Sequence, residues 1–460
     1  MTTKVLPRIL LPIGGILIAL SSASAQSKDP GPRPLRFNPN VPPIIAGASA
    51  ADAALFNASI PVFLQDYSVN GTFVTPKGTT MTGVGLGPRF NHIGCSNCHR
   101  VPFAGGASFA NNSEANLNNT AVTDYGLQAP NQALPSFLVA NGSSLAARLK
   151  YKADGSRDGA VYPIWTISGR PDAPGCNIAQ VDWAAQVAKN NVALRITTPT
   201  FGAGLIEAIS DAAIMANKSA NLEKKTPLGI TGHENRNTTD GTISKFGWKA
   251  QIRTLNQFSG EAFRNEMGIT NAQFMTENDP NPNCNFHPSI EDTPVATPNG
   301  PMLRTDIVSH LMRFSAPPVP QPQTASMANG QVLFNTTGCA GCHTPSLKTA
   351  LNATPAVFAN QTVPLYSDLL VHRMGAGLAD DIIQGQAGPD EFRTAPLWGI
   401  GQRFYFLHDG RTNDLKVAIA AHASAATAQW PASEANGSVA KWNALTETQK
   451  QDLLNFLRGL

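Results

Sequence analysis

The sequence predicts a mainly α protein built as two similar units, with long loops and an insertion in the first. Three observations carry this expectation: two C-x-x-C-H pentads at residues 95–99 and 339–343, a Pro-rich joint at 317–322, and a short motif that recurs after each pentad. The 39 Gly and 35 Pro among 460 residues supply the loops, while 42% hydrophobic residues leave enough apolar side chains for more than one core.

Taken in order, the first 25 residues read as a secretory signal. Lys4 and Arg8 precede an apolar run from Ile9 to Leu20, and Ala23-Ser24-Ala25 before Gln26 forms an A-x-A cleavage site. That run falls short of the ~20 apolar residues that span a bilayer, and no later stretch has the required length and apolarity. An exported, soluble product of the periplasm is expected. Residues 26–43 are rich in Pro and form an extended arm.

The first unit, 44–316, closes with a helix from Thr305 to Phe314, and the joint 317–322 leads to the second unit, 323–460. There a helix containing Val332, Leu333 and Phe334 runs into the second pentad. A capping box, Thr446-Glu447-Thr448-Gln449, opens an amphipathic terminal helix through Leu457 that packs on the first. The recurring motif is Arg195-Ile196-Thr197-Thr198-Pro199-Thr200-Phe201-Gly202-Ala203-Gly204 in the first unit and Arg393-Thr394-Ala395-Pro396-Leu397-Trp398-Gly399-Ile400-Gly401 in the second. Its distance from the pentad is longer in the first unit by about 45 residues, which places the insertion there. Strands are a minor component. Cys176 and Cys284, both in Pro/Asn-rich loop sequence, are left over, and in an exported protein a disulfide between them is the simplest account.

The pentads carry the chemistry. Cys95-Ser96-Asn97-Cys98-His99 and Cys339-Ala340-Gly341-Cys342-His343 have the form used for c-type haem attachment. Two thiols about a helical turn apart bond the haem vinyl groups, and the adjacent His ligates the iron. Two covalently bound haem c groups are therefore expected, held by Cys95, Cys98 and His99 and by Cys339, Cys342 and His343, within two cytochrome c-like haem domains. A zinc site would need two further Cys or His ligands that neither pentad has nearby, and no βαβ pattern supports a thioredoxin-like pair. A net charge of only +3 and the lack of a dense Lys/Arg run exclude nucleic acid as a partner.

Further segments extend the picture: Phe392-Arg393-Thr394-Ala395-Pro396-Leu397-Trp398, Phe406-Leu407-His408-Asp409-Gly410, Phe246-Gly247-Trp248-Lys249-Ala250, Met267-Gly268-Ile269-Thr270 and His372-Arg373-Met374-Gly375. With the two pentads they make the chain resemble the bacterial di-haem cytochrome c peroxidase/MauG superfamily, in its branch described as di-haem oxidoreductase, putative peroxidase. The resemblance implies a periplasmic peroxidase: the C-terminal haem takes electrons from a small redox protein and relays them to the N-terminal haem, which cleaves hydrogen peroxide or a related oxidant.

It also implies roles for single residues. Fourteen residues beyond the His of the His-Asp-Gly motif, where the peroxidases have a ligating Met and MauG a Tyr, this chain has His422, so bis-His ligation by His343 and His422 is expected, with a lower potential than His/Met. Met374 is the competing ligand, and His233 or Met267 could complete the resting first haem. Trp248 is the expected relay between haems, and Arg393 a partner for a haem propionate. Glu207, in an apolar run, is the expected proton carrier, with Asp211 as substitute. The resemblance allows a calcium ion between the units, as in some relatives. Two alternatives keep the haems: an electron-transfer cytochrome without peroxidase activity, and a MauG-like oxidase of a protein or small organic substrate.

Overall fold

The structure is a computed structural model and describes residues 26–34, 40–67, 72–74, 80–82, 85–110, 112, 134–166, 175–279, 281–284 and 291–460. The expected signal, 1–25, lies outside the described residues, as does 35–39 of the arm.

Two helix pairs frame the molecule. In the first unit α1 (Ala50–Phe63) starts at Ser49, whose side chain accepts from the Asp52 N–H. It packs on α4 (Arg304–Phe314), the closing helix expected from Thr305, and α4 also touches α2 (Ala203–Ala208) and α3 (Leu255–Met267). In the second unit α5 (Ala325–Thr336) packs on α7 (Glu447–Gly459), which opens with the expected capping box. Their closeness depends on Gly330, because a Cβ there would lie 2.1 Å from the Asp452 carbonyl oxygen.

The recurring motif is one structural device used twice. Gly202 and Gly399 both have φ +71°, which favours Gly. The Gly202 N–H donates to the Ser315 carbonyl (2.8 Å) and the Gly399 N–H to the Leu460 carbonyl (2.9 Å), each just past its unit's closing helix. A Cβ on Gly204 would lie 2.1 Å from the Arg313 carbonyl oxygen, and one on Gly401 2.0 Å from that of Arg458. The two copies also face each other: Gly202 abuts the Trp398 ring and Gly399 the Phe201 ring.

Strands contribute more than expected. Among the described residues, short antiparallel ladders recur throughout, most only two or three residues long, and such lengths leave no alternating pattern to detect. Among the described residues the longest pair joins β1 (Leu145–Leu149) to β2 (Val192–Ile196), which runs into the recurring motif, and β3 (Val371–Arg373) pairs with β4 (Glu391–Arg393) in the second unit. A disulfide joins Cys176 to Cys284 across 108 residues, fixing the insertion to the loop beyond α3. The largest cluster of buried apolar side chains takes Phe56, Phe201 and Phe263 from the first unit and Leu365, Phe392 and Trp398 from the second, so the units share a core. A second cluster, including Phe334, Trp442 and Leu454, belongs to the second unit. Among the described residues no helix is long and apolar enough to cross a membrane.

Candidate functional site

Each pentad opens onto its own cavity. Residues Cys95–Cys98 form a single helical turn, anchored because Gly94 packs against the Gln65 carbonyl and the Asn97 amide donates to Asp66 Oδ1 (2.7 Å). Cys95, Cys98 and His99 all line the first cavity. His99 Nδ1–H donates to the Gly106 carbonyl (3.1 Å), and burial pushes the imidazole down to about 4. The ring is therefore neutral, with the Nε2 lone pair left to act as a ligand. Burial also pushes the Cys95 thiol up to about 12, which keeps it protonated.

Two carboxylates on α3, Glu261 and Glu266, line the same cavity. Glu266 Oε2 accepts from Asn91 Nδ2 (2.7 Å), and its carbonyl accepts from the Asn91 N–H (2.7 Å). Asn91 is four residues ahead of Cys95, so one loop positions both the carboxylate and the pentad. Burial raises the carboxyl pKa of Glu266 and of Glu261 above the ordinary value.

The second cavity holds Cys339, Cys342, His343 and His422. His343 Nδ1–H donates to the Tyr366 carbonyl (3.0 Å), and His422 Nδ1–H donates to that of Ala418 (2.7 Å). Both imidazoles are held neutral by burial, His343 down to about 4, and both keep Nε2 available. Met374 and His408 line this cavity as well, with His408 stacked on Phe392 at 4.1 Å between ring centroids. Trp248 lines both cavities; its Nε1–H donates to the Ile196 carbonyl (2.9 Å) and its ring meets the edge of His408.

Haem c suits both cavities on the residues present. Each offers two cysteines outside the disulfide, a neutral imidazole and apolar walls. Each also has a buried guanidinium whose N–H groups lack a full set of partners among the described residues: Arg148 Nε in the first, Arg403 Nε and Nη2 in the second. Buried N–H groups without acceptors are costly, and the carboxylates of a haem edge would supply them.

Several expected residues are placed elsewhere. Glu207, nominated for proton transfer, does not line the first cavity: its Oε2 accepts from Arg313 Nε (2.8 Å) and its Oε1 from the Leu255 N–H (2.9 Å) at the start of α3. A carboxylate in that position stabilises a helix terminus. Asp211 likewise accepts from the Ile243 N–H (2.9 Å). His233 pairs with Glu391 (2.9 Å), away from both cavities, whereas Met267 lines the first. Arg393 does line the second cavity but spends Nε on the Gly247 carbonyl (3.0 Å), leaving Arg403 the freer guanidinium.

Sequence reasoning missed Glu261, Glu266, Arg148 and Arg403. One signal was present for Glu266: it stands in the last turn of α3, where the helix dipole disfavours a carboxylate.

The sequence profile of the family described as "Di-haem oxidoreductase, putative peroxidase" matches residues 146–460. Among solved structures, a MauG-like protein associated with microbial copper homeostasis is 16% identical, with a TM-score of 0.29, over 55% of this chain and 89% of its own. The diheme peroxidase BthA from Burkholderia thailandensis E264 is 14% identical, with a TM-score of 0.28, over 65% of this chain and 90% of its own. No curated protein matches.

Proposed function

Since the chain belongs to the di-haem oxidoreductase family, we propose that it reduces hydrogen peroxide, or a related small oxidant, in the first cavity with electrons that enter at the second. One observation carries this reading: each pentad opens on a separate cavity, and Trp248 forms part of the wall of both. Two cofactor sites joined by an aromatic ring suit electron transfer between a site of chemistry and a site of entry.

Cys95 and Cys98 would tether the first haem and His99 would ligate it; Cys339, Cys342, His343 and His422 would hold the second. Arg148 and Arg403 would hold carboxylates of the cofactors. When bound, the haems supply redox-active iron, at potentials set by their axial ligands.

The remaining tasks fall to the chain. Reducing hydrogen peroxide to two waters takes two electrons and two protons, and one proton must move from the near oxygen to the far one as the O–O bond breaks. Glu266 is suited to that transfer, since burial raises its pKa above the ordinary carboxylate value and Asn91 fixes its orientation. Glu261, in the same cavity, supplies a second, half-buried carboxyl for proton entry. The reading extends to export into the periplasm, cleavage near Ala25, and a small redox protein as donor.

Intact mass and optical spectra of protein matured in a periplasm with haem-attachment machinery test this reading. Two added haems, a high-spin ferric signal at one of them, and peroxide consumption with a reduced cytochrome or copper protein are expected. Two low-spin haems inert to peroxide would instead identify an electron carrier.

A further inference from the structure

We propose that residues 27–33 act as a strap that positions His422, with Asp29 as the positioning residue; this rests on reading His422 as a ligand of the second haem. The segment lies along α7. The Ser27 N–H and Oγ–H donate to Glu447 Oε2 (2.8 and 2.6 Å), the Lys28 N–H to Gln451 Oε1 (2.8 Å), and the Arg33 N–H to the Gly401 carbonyl (2.7 Å). Asp29 is the centre of the arrangement. Its two carboxylate oxygens accept from Arg458 Nε and Nη2, both at 2.7 Å, in a pair whose side chains are 6% and 3% exposed.

Asp29 Oδ2 accepts a further hydrogen bond, at 2.7 Å, from the N–H of Leu415, the first residue of α6 (Leu415–Ala421). Lys416 Nζ adds a bond to the Ser27 carbonyl (2.6 Å). The helix is seven residues long and ends at its C-cap, His422. A helix this short is not self-supporting and takes its position from what it touches.

Residues 27 and 29 therefore hold the start of the element whose end presents His422 to the cavity. Removing the Asp29 carboxylate would strip the Leu415 N–H of its acceptor. It would also leave the Arg458 guanidinium, 5.0 Å from the centre of the Phe406 ring, as an unpaired buried charge. Both changes act on the wall that carries His422.

The test uses the full-length holoprotein and reads the second haem alone. Ferric low-temperature magnetic resonance and the rate of cyanide binding at the second haem are compared for wild type, Asp29→Ala, Lys416→Met and His422→Ala. Cyanide must displace the sixth ligand, so its rate follows how often His422 departs. The wild type should show a bis-imidazole signal that His422→Ala abolishes. Asp29→Ala should speed cyanide binding about tenfold, Lys416→Met less but in the same direction, with two haems attached and the first haem's signal unchanged. If the bis-imidazole signal is present and both variants bind cyanide within about twofold of wild type, the strap does not position the ligand. If the wild type lacks that signal, or His422→Ala leaves the second haem unaltered, the ligand assignment falls and the strap's role falls with it. Should Asp29→Ala fail to take up haem, Lys416→Met decides, because it leaves the Asp29–Arg458 pair intact.

Discussion

Glu266 stands in a helix's last turn, where a carboxylate loses rather than gains from the backbone dipole, and its side chain faces the first cavity. Glu207 has the opposite placement, at the start of the same helix and paired with Arg313. Glu266→Gln should therefore lower peroxide turnover by about 10²- to 10⁴-fold, whereas Glu207→Gln should leave turnover close to wild type in the same steady-state assay. A second residue-scale prediction concerns Asp380, which is 4% exposed and joins Arg195 (2.5 Å) to Lys249 (3.0 Å). Asp380→Asn would leave two buried cations without their shared anion. It should cost about 3–5 kcal/mol in denaturant unfolding. The pentads were legible because attachment chemistry fixes residue types within five consecutive positions. Glu266 was not, because its role depends on the loop at Asn91 meeting α3, a contact between segments 175 residues apart.

Three of the four framing helices were expected: Thr446 and Gln449 announced α7, a helix through Val332, Leu333 and Phe334 corresponds to α5, and one from Thr305 to Phe314 to α4, whereas α1 was not foreseen. What could not be read was how closely α5 and α7 approach, since that depends on the missing side chain at Gly330. Gly330→Ala should force these helices apart and cost roughly 1–3 kcal/mol, measurable as a lowered Tm. The short ladders were hidden for a different reason: two or three residues cannot display a period of two. The disulfide was foreseen because Cys176 and Cys284 are left over from the pentads in a chain expected to be exported, and replacing both with Ser should cost about 2–5 kcal/mol in urea unfolding. Acid tests the strap. Burial pushes the Asp29 carboxyl up, but the Arg458, Leu415 and Gly31 contacts outweigh it and hold the pKa below its ordinary 3.8. A group whose pKa is lowered on folding contributes stability that is fully present above its unfolded value and is lost as pH falls through the folded one. Hydrogen exchange at the Leu415 amide should stay protected down to the ordinary carboxylate range and open only below it.

Across the molecule, the duplicated plan was visible as a faint repeat, but its purpose was not. The paired Gly turns clip each unit's closing helix and press against each other, so two units that look separable in sequence share one core. Residues 323–460 made alone should expose Leu365, Phe392 and Trp398 and aggregate rather than fold independently, a result that gel filtration of the refolded fragment would check. The contact between Asp29 and Arg458 spans 429 residues. A ribosome delivers the strap 429 residues before its partner, so while that stretch is being made the strap has nothing to grip. The clasp can close only once both segments exist, and a protease that cuts unfastened chain would spare clasped molecules and nick open ones.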